Sequence, residues 1–278
     1  MSLAVVNSII EMRSLTRKAD RIIGFVPTMG FLHDGHLSLV KKAIKQCDLV
    51  VVSIFVNPTQ FAPSEDLDSY PRDFDRDIEL LSNLDVDYVF FPNTEVMYPD
   101  GFSTWVEVKG VSEILCGSSR PTHFRGVSTV VLKLVNITNP NYMYMGEKDF
   151  QQIAVLKRML ADLNFETVIV PCPIIRETDG LALSSRNKYL TTQQRKDALC
   201  LQKAIKIAQL RCSQNILDTG MILPELREII KDHNGKIDYI EIRDQDSLKL
   251  VDKINNNSRL FLAVFIGNTR LIDNSLLL

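Results

Sequence analysis

The sequence predicts an α/β protein: a Rossmann-like, doubly wound parallel sheet followed by a smaller C-terminal α+β domain. Short apolar runs alternate with amphipathic helical patterns across residues 22–91, as strands and helices do in a doubly wound sheet. The run LVVVSIFV at residues 49–56 is apolar almost throughout, which is typical of a parallel strand covered on both faces. This alternation ends after about residue 182, so we predict two domains, residues 1–182 and 183–278.

Apolar periodicity predicts the elements of the first domain in order. Strands are predicted at residues 22–26, 49–56, 88–91, 102–108, 142–145 and 167–170. Helices are predicted at residues 37–47, 71–84 and 150–163. Pro27 is expected to end the first strand, and Pro71 suits the first turn of a helix. Residues 127–137 fit either a helix or a buried strand, because an apolar run alone does not separate the two.

The second domain shows two helical patterns and strands that no longer alternate with helices. Helices are predicted at residues 192–211 and 223–231, and strands at residues 237–242 and 260–266. Two helices with two or three strands outside a βαβ pattern indicate a small α+β domain.

Composition and charge argue against several classes of function. The chain has 278 residues with 32 basic and 34 acidic side chains, a formal net charge of −2 and no block of like charge. Bulk attraction to nucleic acid or to an anionic membrane is therefore not expected. No apolar run approaches the roughly 20 residues that span a membrane.

The cysteines and the N-terminal residues indicate the compartment. Five cysteines, an odd number without CxxC spacing, argue against a disulfide framework and against a four-thiolate zinc site. Residues 1–20 lack the basic start and the long apolar core of a signal peptide. We therefore expect a cytoplasmic protein.

The stretch HDGH at residues 33–36 lies where the first strand passes into the first helix. Ligands of α/β sheets bind outside the carboxyl ends of the strands, and the N–H groups of a helix start favour anions. Gly35 permits close approach of a ligand to the backbone. Histidines three residues apart across a turn do not match the zinc spacing HExxH, so phosphate binding is favoured over a metal or a structural role.

FVNPTQF, residues 55–61, places two amides at the end of an apolar strand. The side chains of Asn57 and Gln60 suit the hydroxyl and carbonyl groups of a small polar substrate, because an amide both donates and accepts. The alternative is a polar turn fixed by Pro58. The long acidic loop that follows is a candidate lid.

MGEKDFQQ, residues 145–152, lies at a second predicted strand end and opens a helix. Lys148 offers a positive charge to phosphate, and Asp149 offers a carboxylate to ribose hydroxyls or to the helix start. Gln152 lies one helical turn further on. The alternative is a solvated first turn with an aspartate cap.

DGLALSSRNKYL, residues 179–190, places Ser184, Ser185 and Arg186 in one loop. Such a loop suits a triphosphate, with bidentate contacts from the guanidinium, or it is a polar linker. GxxxxGK[ST], GxGxxG after the first strand and GxSxG are all missing, which argues against a P-loop enzyme, a dinucleotide cofactor and a hydrolase elbow.

These pieces occur in the order found in a known family. PTMGFLHDGHLSLV, FVNPTQF, EDLDSYPRD, HFRGV, GEKDFQQ and SSRN follow one another between residues 27 and 187. HxGH with a Ser-rich basic loop downstream resembles the HxGH nucleotidyl-transferase superfamily, and the ordered set resembles the pantothenate synthetase (pantoate–β-alanine ligase) family. The resemblance implies ATP-dependent condensation of pantoate with β-alanine to pantothenate through a pantoyl adenylate, releasing AMP and pyrophosphate. It also implies Mg²⁺ and a cytoplasmic homodimer.

The resemblance assigns site residues on this chain. The residues it implies for catalysis are His36, His33, Lys148, Ser184, Ser185 and Arg186. Those implied to bind ATP are Met29, Gly30, Phe31, Leu32, His33, Asp34, Gly35, His36, Gly146, Glu147, Lys148, Asp149, Ile175, Leu183, Ser184, Ser185 and Arg186. Pantoate or β-alanine would meet Gln60, Gln152 and Asn57, and no residue is assigned as a metal ligand.

Some positions and classes remain open at this point. Leu183 stands where the family commonly has Met, a change of similar volume. Arg120, His123 and Arg125 lie in a family-like stretch and receive no role. Three alternative functions are disfavoured. A transferase joining AMP to a phosphate ester would not need the paired amides, and an aminoacyl-tRNA synthetase would carry a basic anticodon-binding extension. A nucleotide sensor without chemistry would not need four phosphate-directed side chains.

Overall fold

The computed structural model describes residues 3–17, 20–63 and 65–278. Residues 1, 2, 18 and 19 of the N-terminal segment and residue 64 of the candidate lid lie outside the described residues. The strands are β1 Ala4–Val6, β2 Ile23–Thr28, β3 Leu49–Ile54, β4 Tyr88–Phe90, β5 Tyr142–Gly146, β6 Val168–Cys172, β7 Gly235–Asp244, β8 Ser258–Ile266 and β9 Thr269–Leu276.

The α-helices vary from one turn to more than four turns. They are α1 Ile9–Arg17, α2 Asp34–Gln46, α3 Phe74–Ser82, α4 Thr94–Met97, α5 Cys116–Ser119, α6 His123–Thr138, α7 Phe150–Asp162, α8 Thr192–Ala198, α9 Cys200–Ser213 and α10 Thr219–Lys231. Short 3₁₀ turns cover Pro58–Gln60, Glu147–Asp149 and Ser185–Tyr189. Within the described ranges, no helix has the length and apolar character needed to cross a membrane.

Six parallel strands form one sheet in the order β1-β4-β3-β2-β5-β6. Strand β2 pairs with β3 on one side and with β5 on the other, so the direction of winding reverses between β2 and β5. Such a reversal leaves a crevice at the carboxyl ends of the two strands, where ligands of open α/β sheets bind. The predicted doubly wound parallel sheet with a separate small α+β part is confirmed.

The central strands are buried, as their apolar runs predict. All six residues of β3 are buried, and its neighbour β2 is buried at five of six positions. Strand β2 continues through Pro27 to Thr28, so the predicted end at Pro27 is wrong. The ladder from β2 to β5 covers only Gly24 and Phe25, and Pro27 therefore lies beyond the part of β2 that has two paired neighbours.

The structure decides the conformation of two segments that lie outside the strands of the parallel sheet. Residues 127–137 lie inside the helix α6. Residues 102–108 do not form the predicted strand: the N–H of Val106 donates to Thr129 Oγ1 at 3.0 Å, and Phe102 and Trp105 pack against Tyr98. Side-chain contacts therefore replace strand pairing along this segment.

Strands β7, β8 and β9 form a second, antiparallel sheet in that order. The helices α9 and α10 share an apolar core with this sheet, including Leu201, Ile222 and Leu262. The single helix predicted at residues 192–211 is two helices, α8 and α9, separated at Leu199. The second predicted helix begins earlier than its apolar pattern, at Thr219, where Asp218 accepts the N–H of Gly220 at 2.7 Å.

The chain divides into two compact units. The first contains the described residues up to Glu147 together with Gln151–Pro173, and the second contains Lys148–Phe150 together with Ile174–Leu278. The domain boundary expected after residue 182 stays a prediction.

Candidate active site

The turn after β2 carries the chain from the sheet into α2. Thr28 donates its hydroxyl to Ser53 O at 2.7 Å and accepts the N–H of Gly30 at 3.2 Å. Gly30 and Phe31 then have left-handed backbone conformations, with φ values of 82° and 51°. A bulky residue is uncommon in that region, so surrounding groups must hold Phe31 there.

The helix α3 supplies these groups. The carboxylate of Asp77 accepts the N–H of Phe31 and of Leu32, each at 2.7 Å, and the residue is 1% exposed. Burial raises the pKa of Asp77, against the lowering effect of the two donors. Arg76 donates to Leu32 O at 2.9 Å and lies over the Phe31 ring. Neither Arg76 nor Asp77 was predicted from the sequence, although Asp77 lies one turn before buried Leu81, on the same helical face.

The two histidines of HDGH lie side by side at the start of α2. His33 is the N-cap residue, and its Nδ1 accepts the N–H of Gly35 at 3.2 Å. An accepting Nδ1 carries no proton, so a neutral His33 has its hydrogen on Nε2. The ring of His36 stacks on that of His33, with centroids 4.0 Å apart and 29° between the planes. Two imidazoles therefore meet at a helix start, where backbone N–H groups favour anions.

Asn57 holds the turn that follows β3. Its side chain is 1% exposed, and Oδ1 accepts the hydroxyl of Tyr98 at 2.8 Å. Its Nδ2 donates to Gln60 Oε1 and to Gly126 O, each at 3.2 Å. Through its bond to Gln60 Oε1, Asn57 orients the side chain of Gln60. Its predicted contact with substrate stays a prediction.

The segment before α6 and its first turn hold the backbone of Gln60. The carbonyl of Gln60 accepts from Arg120 Nη2 at 3.3 Å and from His123 Nδ1 at 2.9 Å. Because a carbonyl only accepts, Nδ1 of His123 carries the proton. At Gly126 a Cβ would lie 2.4 Å from a backbone oxygen of this turn, so the close approach requires glycine. The side-chain Nε2 of Gln60 lies 3.0 Å from Met29 Sδ, next to the histidine turn.

Arg120 also anchors the candidate lid. Its Nε donates to Glu65 Oε1 at 2.7 Å and its Nη2 to Oε2 at 2.5 Å. Burial acts to raise the pKa of Glu65, but the hydrogen bonds and charge of Arg120 outweigh it, so the pKa is lowered. This paired geometry fixes one point of the loop to the segment before α6. Arg125 instead lies over the ring of Trp105, 5.1 Å from its centroid.

The end of β5 has an open backbone position at Gly146, and the helix α7 that follows carries two adjacent glutamines. At Gly146 a Cβ would meet nothing within 4 Å, and its φ is outside the left-handed region. Gln151 is buried and donates to Val111 O and Ile114 O, at 2.9 and 2.7 Å. Gln152 is only half-buried. Of the two amides, Gln151 is thus committed to the fold, and Gln152 is the one predicted to bind pantoate.

In the second unit, Lys148 is held through its backbone. Asn274 of β9 is 3% exposed and donates its Nδ2 to Lys148 O at 3.0 Å. Arg259 of β8 lies over the ring of Phe150, 4.0 Å from its centroid. The Nζ of Lys148 lies 3.7 Å from the Asp149 carboxylate. Such a partly exposed pair is weak, which leaves the charge of Lys148 available to an anion.

Residues 175–190 form a hairpin and a short turn in the second unit. Leu183 donates its N–H to Ile175 O at 3.0 Å, and Ser184 Oγ accepts the N–H of Arg186 at 3.3 Å. Ser185 is buried. The predicted residues Ile175 and Leu183 to Arg186 therefore belong to one locally hydrogen-bonded segment.

Ionic contacts hold this hairpin. Arg195 of α8 donates to the carboxylates of Glu177 and Asp179, each at 2.7 Å at its shortest, and Arg176 binds Asp273 of β9 at 2.6 and 2.9 Å. The hydrogen bonds from Arg195 lower the pKa of Glu177. They also lower the pKa of Asp179, against the opposing effect of burial. Five charged side chains thereby fix the backbone of the hairpin.

The predicted site residues fall into two groups, one in each unit. The first unit holds Met29, Gly30, Phe31, Leu32, His33, Asp34, Gly35, His36, Asn57, Gln60, Gly146, Glu147 and Gln152. The second holds Lys148, Asp149, Ile175, Leu183, Ser184, Ser185 and Arg186. Among the residues that the structure describes, no group of three or more His, Cys, Asp or Glu side chains is arranged to hold a metal ion.

A Rossmann-like parallel sheet with an HxGH turn beside its switch point defines the class of protein, an ATP-using enzyme of the nucleotidyl-transferase type. The family model described as pantoate-beta-alanine ligase matches residues 4–276. The chain belongs to the pantoate–β-alanine ligase family. It condenses pantoate with β-alanine to pantothenate through a pantoyl adenylate, and it releases AMP and pyrophosphate.

Relatives and solved structures agree with this family over nearly the whole chain. The chain is 50% identical over 276 residues to a pantothenate synthetase of Caldicellulosiruptor bescii, covering 98% of each chain. A crystal structure of the Thermus thermophilus enzyme superposes with a TM-score of 0.95 at 40% identity, covering 99% of each chain. The Francisella tularensis ligase, solved in complex with beta-gamma ATP and β-alanine, gives a TM-score of 0.84 at 43% identity and covers 99% of this chain and 98% of that one.

Proposed function

We propose that His33 and His36 act on the phosphates of ATP during formation of the pantoyl adenylate. The observation that carries this proposal is the stacked imidazole pair at the start of α2, beside the switch point of the sheet. As the pantoate carboxylate attacks the α-phosphate, negative charge moves onto the leaving pyrophosphate. Donors already in place at that position stabilise the transition state more than the ground state.

The hydrogen bond from Gly35 gives His33 a defined tautomer for this role. With Nδ1 accepting, Nε2–H is the donor that His33 offers to a phosphate oxygen. His36, stacked on it, is proposed as the proton donor to the phosphates. Lys148 and Arg186 are proposed to bind phosphate oxygens by charge-assisted hydrogen bonds, with Ser184 and Ser185 beside Arg186.

The remaining ATP contacts are proposed from the resemblance. Asp149 is proposed near ribose, and Ile175 near adenine through its backbone. The others are Met29, Gly30, Phe31, Leu32, Asp34, Gly35, Gly146, Glu147 and Leu183. The open space at Gly146 supports close approach of a ligand to the backbone there.

Gln60 and Gln152 are proposed to bind the acid and the amine. Gln60 would contact pantoate and β-alanine, and Gln152 would contact pantoate. Asn57 supports this arrangement by orienting the Gln60 amide, in addition to its proposed substrate contact. In the second step the β-alanine amine attacks the acyl carbon of the adenylate, and AMP leaves.

Mg²⁺ is proposed to arrive with ATP. This ion keeps several waters and is commonly held by substrate phosphates with one or two carboxylates, so it does not require a dedicated protein cage. The described part of the chain, which has no cluster of three metal-binding side chains, is compatible with that mode. We also propose a cytoplasmic homodimer with a domain boundary after residue 182.

Pyrophosphate release tests the site assignment. Wild-type protein with ATP and pantoate should give a single-turnover burst that becomes steady turnover when β-alanine is added. His36→Ala should lower turnover by about 10²–10³-fold, as removal of one transition-state donor does. His233→Ala is the matched control, because the Nδ1 of His233 bonds to Ile229 O within the second unit. A near-wild-type rate for His36→Ala would remove His36 from the chemistry.

A further inference from the structure

Asp77 is a buried carboxylate that the family resemblance leaves without a role. It lies on α3, more than forty positions along the chain from the histidine turn, as the separations of its two hydrogen bonds (46 and 45) show. Its Oδ2 accepts the N–H of Phe31 and its Oδ1 accepts the N–H of Leu32, both at 2.7 Å. Both oxygens of one carboxylate are therefore used on two consecutive backbone donors.

The turn that Asp77 binds has a conformation that its own residues do not favour. Phe31 has a φ of 51°, in the left-handed region that bulky residues rarely occupy. Backbone strain of this kind persists only where surrounding contacts hold it. The two residues immediately after the contact, His33 and Asp34, begin α2. The direction in which α2 starts, and with it the position of the imidazoles, therefore depends on this turn.

Arg76 completes the contact from the same helix. It donates to Leu32 O at 2.9 Å, and its guanidinium lies 5.4 Å from the centroid of the Phe31 ring. Asp77 thus binds the two backbone N–H groups of Phe31 and Leu32, and Arg76 binds the carbonyl of Leu32 and the ring of Phe31. At Gly30 an added Cβ would lie 3.1 Å from Asp77 Oδ2, so the carboxylate is packed against the turn as well as bonded to it.

We propose that Asp77 is a positioning residue for catalysis: its carboxylate holds Phe31 and Leu32 in the turn that places His33 and His36 for phosphate chemistry. Asp77 touches no substrate in this role and acts through the backbone. The inference rests on the proposed function of the two histidines.

The replacement Asp77→Asn tests this role with little change in side-chain volume. One amide oxygen can still accept one N–H, but the amide nitrogen then faces the other N–H, so donor opposes donor. We expect kcat to fall by about 10- to 100-fold, the scale of effect expected when reacting groups are misplaced by about 1 Å. The KM for ATP should change much less. Asp75→Asn, on the exposed face of the same helix, is the matched control and should keep wild-type kcat.

A double-mutant cycle with Phe31→Gly separates positioning from general stability. Glycine adopts a positive φ without strain, so the turn then depends less on the carboxylate. Both backgrounds are compared by ratio, because Phe31 is itself a proposed ATP contact. The kcat loss caused by Asp77→Asn should be clearly smaller in the Phe31→Gly background than in the wild-type background.

The outcomes distinguish the inference from the proposals it depends on. An equal kcat loss in both backgrounds, or a loss that follows only the folded fraction measured by circular dichroism, overturns the positioning role. If Asp77→Asn does not fold, Arg76→Gln replaces it, because Arg76 holds the same turn through Leu32 O and its side chain is half-exposed. That variant should lower kcat several-fold at unchanged unfolding temperature, and unchanged kcat overturns the inference. If kcat falls in His36→Ala but not in Asp77→Asn, the positioning role of Asp77 alone is refuted. If kcat falls in neither variant, the proposed role of the histidines is refuted.

Discussion

Replacing Gly146 with alanine should separate ATP binding from fold stability at the end of β5. The added Cβ would meet no atom within 4 Å, and φ at this residue lies outside the left-handed region. Neither packing nor backbone conformation therefore requires glycine there. The proposed ATP site gives a separate reason for glycine, because a ligand that approaches the backbone closely needs the space of the missing side chain.

Replacing Gly146 with alanine should stabilise the fold and weaken ATP binding. Alanine at a position whose backbone it can adopt restricts the unfolded chain and stabilises the fold by about 0.4–1 kcal/mol. A methyl group that displaces a phosphate or ribose from one charged hydrogen bond loses about 1.5–3 kcal/mol of binding. This loss corresponds to roughly 10- to 150-fold weaker ATP binding. Stability should thus be equal or higher while ATP binding falls.

The assay combines thermal unfolding with ATP titration of pyrophosphate release. Gly24→Ala is the matched control, because its Cβ would lie 2.8 Å from Cys47 Sγ and 3.3 Å from the Cβ of Ala43. Overpacking of this kind costs about 1–3 kcal/mol, so the control should lose stability without a selective effect on ATP. An unchanged ATP KM in Gly146→Ala, at intact stability, would refute the placement of ATP against this backbone.

Three other changes give separate tests. Lys148→Ala should weaken ATP use by the worth of one charged hydrogen bond, about 1.5–3 kcal/mol in kcat/KM, and unchanged ATP kinetics would exclude Lys148 from the site. Gln60→Ala should raise the KM for pantoate or β-alanine more than that for ATP; equal effects on all three would indicate a folding defect. Ser247→Ala should raise the pKa of Asp244 from about 2 towards its ordinary 3.8, because it removes the Ser247 hydroxyl, the partner that lowers this pKa most, while the backbone N–H of residue 247 remains. Since that pKa is depressed in the folded state, the stabilisation is present above pH 3.8 and is lost as the pH falls towards 2. An NMR titration of the Asp244 carboxyl group measures the pKa in both proteins, and an unmoved pKa would contradict the assignment.

Much of the parallel sheet was predictable because its buried strands are continuous apolar runs in the sequence. Strand β3 is buried on both faces, and the run at residues 49–56 indicated this directly. The pattern failed where contacts from distant residues decide the structure. Residues 102–108 read as a strand, but their backbone and aromatic groups bind to side chains of α6 and Tyr98. The break between α8 and α9 at Leu199 was not predicted, because neither Pro nor Gly lies there to indicate the end of a helix.

The residues predicted to face a ligand carry a signal in the sequence, whereas the residues that hold their backbone in the structure do not. Histidines, a lysine and an arginine at strand ends and loops carry a chemical signal that composition and spacing reveal. Asp77 carries no such signal, because its partners are backbone N–H groups far away in the sequence. Arg120 and His123 likewise meet the carbonyl of Gln60, a contact that no periodicity predicts.

The division of the chain has a consequence for how a ribosome-bound chain matures. Lys148–Phe150 belong to the second unit, yet their partners Arg259 and Asn274 lie close to the C-terminal end of the chain. During synthesis the parallel sheet is complete once β6 has emerged, because its six strands all precede residue 173. The contact that holds the backbone of Lys148 forms only after β9 has been synthesised, because Asn274 belongs to that strand. A prematurely terminated chain that ends before β9 therefore contains every strand of the parallel sheet and the histidine turn, but lacks the Asn274 contact that holds the backbone of Lys148.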